Sequence, residues 1–94
     1  IKIFIINIIM SYKSKYIIYS LEKCLYSTKA ENYLKQYGFP HQIIRVSQAD
    51  KDKYKQFLEK ETFPQIYYQD CYNRRYSLGG YSEFEDFIKE RIIK

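Results

Sequence analysis

Two cysteines, one histidine and one methionine in 94 residues exclude several architectures at once. A single pair of cysteines cannot build the disulfide framework on which small secreted domains depend, so free thiols in a reducing, cytoplasmic setting are expected. His41 has no Cys or His neighbour at metal-ligand spacing, and no metal ligand is assigned. The apolar run Ile1 to Met10 falls well short of the roughly 20 residues of a membrane-spanning helix. It does not read as a secretory leader either, because the polar, basic stretch Ser11-Tyr12-Lys13-Ser14-Lys15 follows in place of a small-residue cleavage site. Residues 1–15 are therefore expected to be an N-terminal extension, with Met10 the natural initiator. The alternative is an extra edge strand, which would be an aggregation hazard if left unpaired.

Charge of one sign is not concentrated anywhere. Sixteen basic residues stand against 11 acidic ones, a net +5, and the lysines are scattered. That balance favours anionic small molecules or acidic surfaces as partners and argues against nucleic acid. Repeats, linkers and low-complexity tracts are also missing, so residues 16–94 read as one domain with a modest core.

What is present is a regular alternation of strand and helix signals. Tyr16 to Ser20 is a short β-branched and aromatic run, a candidate buried strand. Leu25, Tyr26, Ala30, Tyr33, Leu34 and Tyr37 then recur at helical spacing until Gly38 and Pro40 stop the helix. His41 to Val46 is a second strand, and Ser47 to Asp52 carries turn and cap chemistry. Lys53 to Glu61 is a helix with Tyr54, Phe57 and Leu58 on one face. Pro64 opens a third strand, Gln65 to Tyr68, and a polar hairpin leads into a fourth, Arg74 to Leu78. Gly79-Gly80 ends it, and Ser82 with Glu85 reads as a capping box for a last helix. The order is β-α-β-α-β-β-α, an α/β domain with a four-stranded mixed sheet flanked by helices.

Cys24 sits where the first strand gives way to the first helix. A cysteine at a helix N-terminus meets unpaired backbone N–H groups and the positive end of the helix dipole, both of which favour the reactive thiolate. Lys23 adds a cation beside it, whereas a lone cysteine elsewhere is more often a small buried hydrophobe. Three residues on, a dithiol enzyme would carry its second cysteine, and here stands Ser27. Its hydroxyl either donates towards the sulfur or satisfies the first helical turn. Tyr26 is expected to be half core and half platform beside the sulfur. Gly79-Gly80-Tyr81-Ser82 is a glycine turn into a helix, a geometry that offers backbone N–H groups to an anion.

Three separated motifs give the chain its resemblance. Cys24-Leu25-Tyr26-Ser27 is similar to the C-P-Y-C active site of the glutaredoxins, Thr62-Phe63-Pro64-Gln65-Ile66 to their T-V-P-Q segment, and Leu78-Gly79-Gly80-Tyr81-Ser82 to their I-G-G-Y-D segment. The resemblance runs from Tyr16 to about Lys89 and implies a thioredoxin-like fold. It implies a cis bond before Pro64, with the Phe63 backbone pairing with the cysteinyl part of glutathione. It further implies a glutathione site made by Lys23, Tyr26, Thr62, Phe63, Pro64, Gly80, Tyr81 and Ser82, with Cys24 as the catalytic residue and glutathione as co-substrate. Two departures stand out. Ser82 replaces the usual Asp, and Leu21 replaces the usual Lys that pairs with the glycyl carboxylate, leaving Lys51, Lys55 and Gln56 as substitutes. Cys71, in the polar hairpin, reads as passive.

The activity so implied is that of a monomeric, glutathione-dependent thiol–disulfide oxidoreductase acting on glutathionylated proteins by a monothiol route. Two alternatives belong to other classes. One is a carrier of a glutathione-ligated [2Fe–2S] cluster, which the family's C-G-F-S signature marks and Leu25-Tyr26 does not match. The other is a weakly catalytic binding module that has kept the fold and lost the pocket.

Overall fold

The central strand explains most of the architecture. The computed structural model describes residues 14–93, so residues 1–13 of the N-terminal extension, with its edge-strand alternative and the Met10 start, lie outside the described residues, while Lys15, assigned to the extension, already begins the first strand. β1 (Lys15–Leu21) is buried at every position but its first. Such a strand is covered on both faces, which is why its sequence is continuously apolar and does not alternate. Tyr16 and Ile18 face one apolar cluster, with Ala30, Leu34, Ile66, Phe84 and Ile88. Ile17, Tyr19 and Leu21 face the other, with Val46.

The sheet has the order β2-β1-β3-β4. β2 (His41–Val46) runs parallel to β1 with Ile18 opposite Ile43. β3 (Gln65–Gln69) is antiparallel to β1, Tyr19 facing Gln65 and Lys15 facing Gln69. β4 (Arg75–Gly79) completes the sheet antiparallel to β3, with an irregularity between Ile66 and Tyr67. The parallel β1–β2 pair requires a crossover, and α1 (Leu25–Tyr37) supplies it. As its sequence predicts, α1 ends at Gly38 in the left-handed region (φ 67°), whose N–H reaches the Leu34 and Lys35 carbonyls.

The inner face of α1 differs from the hydropathy reading. Leu25 and Tyr26 are 66% and 53% exposed, and the buried positions are Ser27, Ala30, Glu31 and Leu34. Tyr26 is therefore no part of the core. Two polar anchors turn the helix this way. The Leu21 N–H donates to Ser27 Oγ at 3.1 Å. Glu31 accepts from the Ser20 hydroxyl and from Arg45, whose Nη2 lies 3.1 Å from Glu31 Oε1. A buried carboxylate is tolerated only with such partners, and these two bind α1 to β1 and β2.

α2 (Lys51–Leu58) begins earlier than its sequence suggests because a 3₁₀ turn, Gln48–Asp50, leads into it, capped by Ser47 Oγ accepting from the Asp50 N–H at 3.2 Å. It also stops earlier. Glu59 takes a left-handed conformation (φ 56°) and caps the helix, which frees Lys60 and Glu61 from it. Tyr54 and Leu58 pack on the second cluster, whereas Phe57 is 71% exposed and not on the buried face.

α3 (Tyr81–Ile93) starts one residue before the expected cap. The Phe84 N–H donates to the Gly80 carbonyl at 3.0 Å, so Ser82 lies inside the first turn and no capping box forms. Glu85 bonds to the Tyr81 hydroxyl instead.

The β3–β4 turn is organised by Asp70. Its carboxylate accepts from the Tyr72 and Arg74 N–H groups, each at 2.9 Å, and from Arg74 Nε at 2.8 Å. Partial burial pushes this carboxyl up, but the Arg74 and Tyr72 bonds outweigh it and hold it below the ordinary 3.8. A depressed carboxyl stabilises the fold above its unfolded value and loses that contribution as pH falls through the folded one. We therefore expect thermal melts of wild type and Asp70→Asn to differ at about pH 6 and to converge at about pH 2. A difference that is the same at both pH values contradicts this account of the turn.

Candidate active site

β1 ends at Leu21, and the chain reaches α1 through Glu22 and Lys23. The Glu22 N–H donates to the Val46 carbonyl at 2.9 Å, and Gln48 Nε2 donates to the Glu22 carbonyl at 2.7 Å. The Gln48 N–H also reaches Glu22 Oε1 at 3.2 Å. These contacts with the end of β2 and the residue beyond it fix the turn on which Cys24 sits. Lys23 occupies the left-handed region (φ 62°) and Cys24 the extended one (φ −107°, ψ 121°), the backbone of an N-cap. The Thr28 N–H bonds to the Cys24 carbonyl at 3.1 Å, while no side chain caps the helix end. The Cys24 thiol is partly exposed and lies 3.9 Å from the Phe63 carbonyl oxygen.

That contact joins Cys24 to a segment 39 residues away. The Phe63–Pro64 bond is cis, the isomer that the resemblance implies. Gln65 braces the turn, its Nε2 donating to the Thr62 carbonyl at 2.9 Å and to Thr62 Oγ1 at 3.2 Å. Beside this turn opens a cleft of about 460 Å³. Tyr26, Thr62, Phe63, Pro64, Gly80, Tyr81 and Ser82 all line it, so the fold brings these sequence-predicted residues together. Lys23 does not line it; it is exposed on the turn before Cys24.

Five further residues line the cleft: Gln65 and Gly79, which belong to the quoted motifs but not to the expected glutathione contacts, and Lys60, Glu61 and Glu83, which the sequence reading missed. Lys60 is the only cation among the described residues that line the cleft. The substitutes considered for the missing Lys behave differently. Lys55 and Gln56 line a separate groove with Asp52, Glu59 and Glu61, and Lys51 lines neither. The left-handed Glu59 is what delivers Lys60, a signal invisible in residue type. Gln65 is 4% exposed, and its buried Oε1 has no hydrogen-bond partner.

Gly79 and Gly80 form the opposite wall. Gly79 is left-handed (φ 89°), and a Cβ there would meet the Glu83 side chain at 3.2 Å. Tyr26 stands over this wall with its ring centroid 5.7 Å from that of Tyr81. Burial pushes the Tyr81 phenol up, and its bond to Glu85 pushes it further. Glu85 is correspondingly held below the ordinary 4.5, first by the Tyr81 hydroxyl and then, against its own burial, by Lys89.

The Ser27 side chain is buried and its oxygen accepts from the Leu21 N–H of β1, a structural role different from the two considered for it. Cys71 is remote. The β1–β3 register puts the hairpin at the Lys15 end of the sheet and Cys24 at the Leu21 end. Neither thiol is in a disulfide. No group of three or more His, Cys, Asp or Glu residues that could hold a metal occurs among the described residues.

Cys24 is not itself among the residues lining the cleft; its partly exposed thiol meets the cleft residue Phe63, and Tyr81 and Ser82 of the first turn of α3 line the cleft as well. Residues 16–71, more than half of the chain, match the family model described as Glutaredoxin, a span that holds Cys24 and the Pro64 turn and stops before Gly79. The crystal structure of glutaredoxin 1 from Francisella tularensis complexed with cacodylate is similar in fold, with a TM-score of 0.70 at 19% sequence identity. The superposition covers 86% of this chain and 99% of that one. No curated protein sequence matches the chain. The fold is thus thioredoxin-like, a four-stranded mixed sheet with three helices.

Proposed function

The chain belongs to the glutaredoxin family, and from that premise we propose that it is a glutathione-dependent oxidoreductase that removes glutathione from protein thiols through Cys24 alone. The observation that carries this reading is the placement of one sulfur next to the cleft residue Phe63: Cys24 lies against the Phe63 carbonyl, Ser27 bonds to β1, and Cys71 is at the other end of the sheet.

The Cys24 thiolate attacks the glutathione sulfur of a protein–glutathione mixed disulfide. A new bond forms between Cys24 and that sulfur, the old disulfide breaks, and the protein sulfur leaves as a thiolate that takes up a proton. A second glutathione thiolate then attacks the glutathione sulfur held on Cys24. Oxidised glutathione departs and Cys24 is a thiolate again. With no second cysteine within the active-site motif, the external glutathione does the work of a resolving thiol.

The cleft supplies recognition. The Phe63 backbone pairs with the cysteinyl peptide in the manner of strand addition. The turn at Gly80, with the first N–H groups of α3 at Tyr81 and Ser82, receives the γ-glutamyl carboxylate. Lys60 takes the role of the absent Lys at Leu21 and pairs with the other carboxylate. Lys60→Ala should raise KM for a glutathionylated peptide about three- to tenfold with kcat little changed, the signature of lost ground-state binding to a charge. An unchanged KM removes Lys60 from the site. The protein works as a monomer in a reducing compartment.

A mass spectrum after incubation with oxidised glutathione tests the whole reading. One glutathione on Cys24 and none on Cys71 is expected. No adduct, or an adduct on Cys71 alone, defeats it.

A further inference from the structure

Tyr26 forms a wall of the cleft although its ring is 53% exposed and outside the core. Something other than core packing must keep it there. Its two neighbours are on the page: the Tyr81 ring at 5.7 Å between centroids on one side, and Lys29 Nζ at 5.3 Å from the ring centroid on another. The first of these neighbours is held by a carboxylate. The Tyr81 hydroxyl donates to Glu85 Oε2 at 2.9 Å. Lys89 Nζ sits 3.4 Å from Glu85 Oε1.

We propose that Glu85, which does not line the cleft, is the positioning residue of its aromatic wall. It fixes the Tyr81 phenol one helical turn below, and through the Tyr81 ring the Tyr26 ring stands where a bound glutathionyl group passes. The inference rests on the glutathione reading above. A tilted aromatic pair with a cation over one ring is directional. A charge-assisted hydrogen bond is the strongest single restraint that can hold one member of it. The loop Gly79-Gly80 cannot do this, having no side chains, and Glu83 lies on the Gly79 side of the wall.

The arrangement predicts a defect in binding and not in chemistry. Cys24 and Phe63 lie on other elements, so the attacking sulfur is untouched. With a glutathionylated peptide and reduced glutathione as substrates, Glu85→Ala should raise KM about tenfold with kcat within about twofold of wild type. Glu85→Gln keeps an acceptor for the Tyr81 hydroxyl and should restore most of the affinity, with KM within about threefold of wild type. Should Glu85→Ala fold poorly, Tyr81→Phe removes only the hydroxyl and should reproduce the KM defect. An active wild type whose KM survives both Glu85→Ala and Tyr81→Phe overturns the inference alone. Glu85→Gln as impaired as Glu85→Ala overturns the hydrogen-bond assignment. A wild type without turnover overturns the glutathione reading and this inference with it.

Discussion

Cys24→Ser is expected to abolish the proposed release of glutathione from a glutathionylated peptide, to about a thousandth of the wild-type rate or less, while Cys71→Ser is expected to retain most of it. The size of the first effect follows from the chemistry. A serine hydroxyl is not ionised at neutral pH and cannot form a disulfide, so no covalent intermediate with glutathione can exist. The small size of the second follows from position. Cys71 belongs to the Asp70-organised turn at the Lys15 end of the sheet, with β3 between it and the Pro64 turn. NADPH oxidation coupled through glutathione reductase gives both rates. Substantial activity in Cys24→Ser, or its loss in Cys71→Ser, would move the nucleophile to the hairpin and leave the cleft without a reaction.

The same reasoning places Ser27. If it were a degenerate resolving position it should face Cys24, yet its oxygen holds the end of β1 through the Leu21 N–H. The residue that replaces the second cysteine is thus built into the frame that carries the first. A monothiol route is the corresponding proposal, because glutathione must arrive from solution for every turnover.

Much of this was legible in the residues, for reasons that also mark the limits. β1, α1 with its Gly38 stop, and β3 behind Pro64 announce themselves by local chemistry: continuous burial, a left-handed cap, a missing N–H. The three motifs converge on one cleft because each lies at an element boundary on the same end of the sheet. The inner face of α1 was not legible. Hydropathy ranks Leu25 and Tyr26 above Ser27 and Glu31, and nothing local says that Glu31 will find Ser20 and Arg45, which lie 11 and 14 residues away in sequence. Lys60 was hidden for a different reason: a glutamate, not a glycine, adopts the left-handed cap at Glu59 and ends α2 early. Ser82 and Glu85 match a capping pattern, but Gly80 starts the helix first, and the carboxylate is taken up by Tyr81.

Phe84→Ala tests how far the site depends on the core beneath it. Phe84 is fully buried and is the largest such side chain among the described residues. Its ring meets Tyr16 of β1 edge-on at 5.9 Å between centroids and Tyr33 of α1 at 5.8 Å. It therefore pins α3 to the sheet and to α1 at once, and its own N–H closes the turn that presents Gly80, Tyr81 and Ser82. Deleting a buried Phe side chain removes its transfer free energy and leaves a cavity, a loss of about 3–5 kcal/mol. Set against a total of about 5–15 kcal/mol for a typical domain, that is a large fraction. Urea unfolding of Phe84→Ala should show a lower midpoint with an unchanged slope. Leu25→Ala, at a position 66% exposed on the outer face of α1, should stay within about 0.5 kcal/mol of wild type. The hydropathy pattern taken alone predicts a core cost for both. A Leu25→Ala loss approaching that of Phe84→Ala would return Leu25 to the core and undo the assignment of Ser27 and Glu31 to the buried face. With the expected result, the residue beside the nucleophile is free to meet a substrate, and the helix that offers the backbone N–H groups is held in place by Phe84.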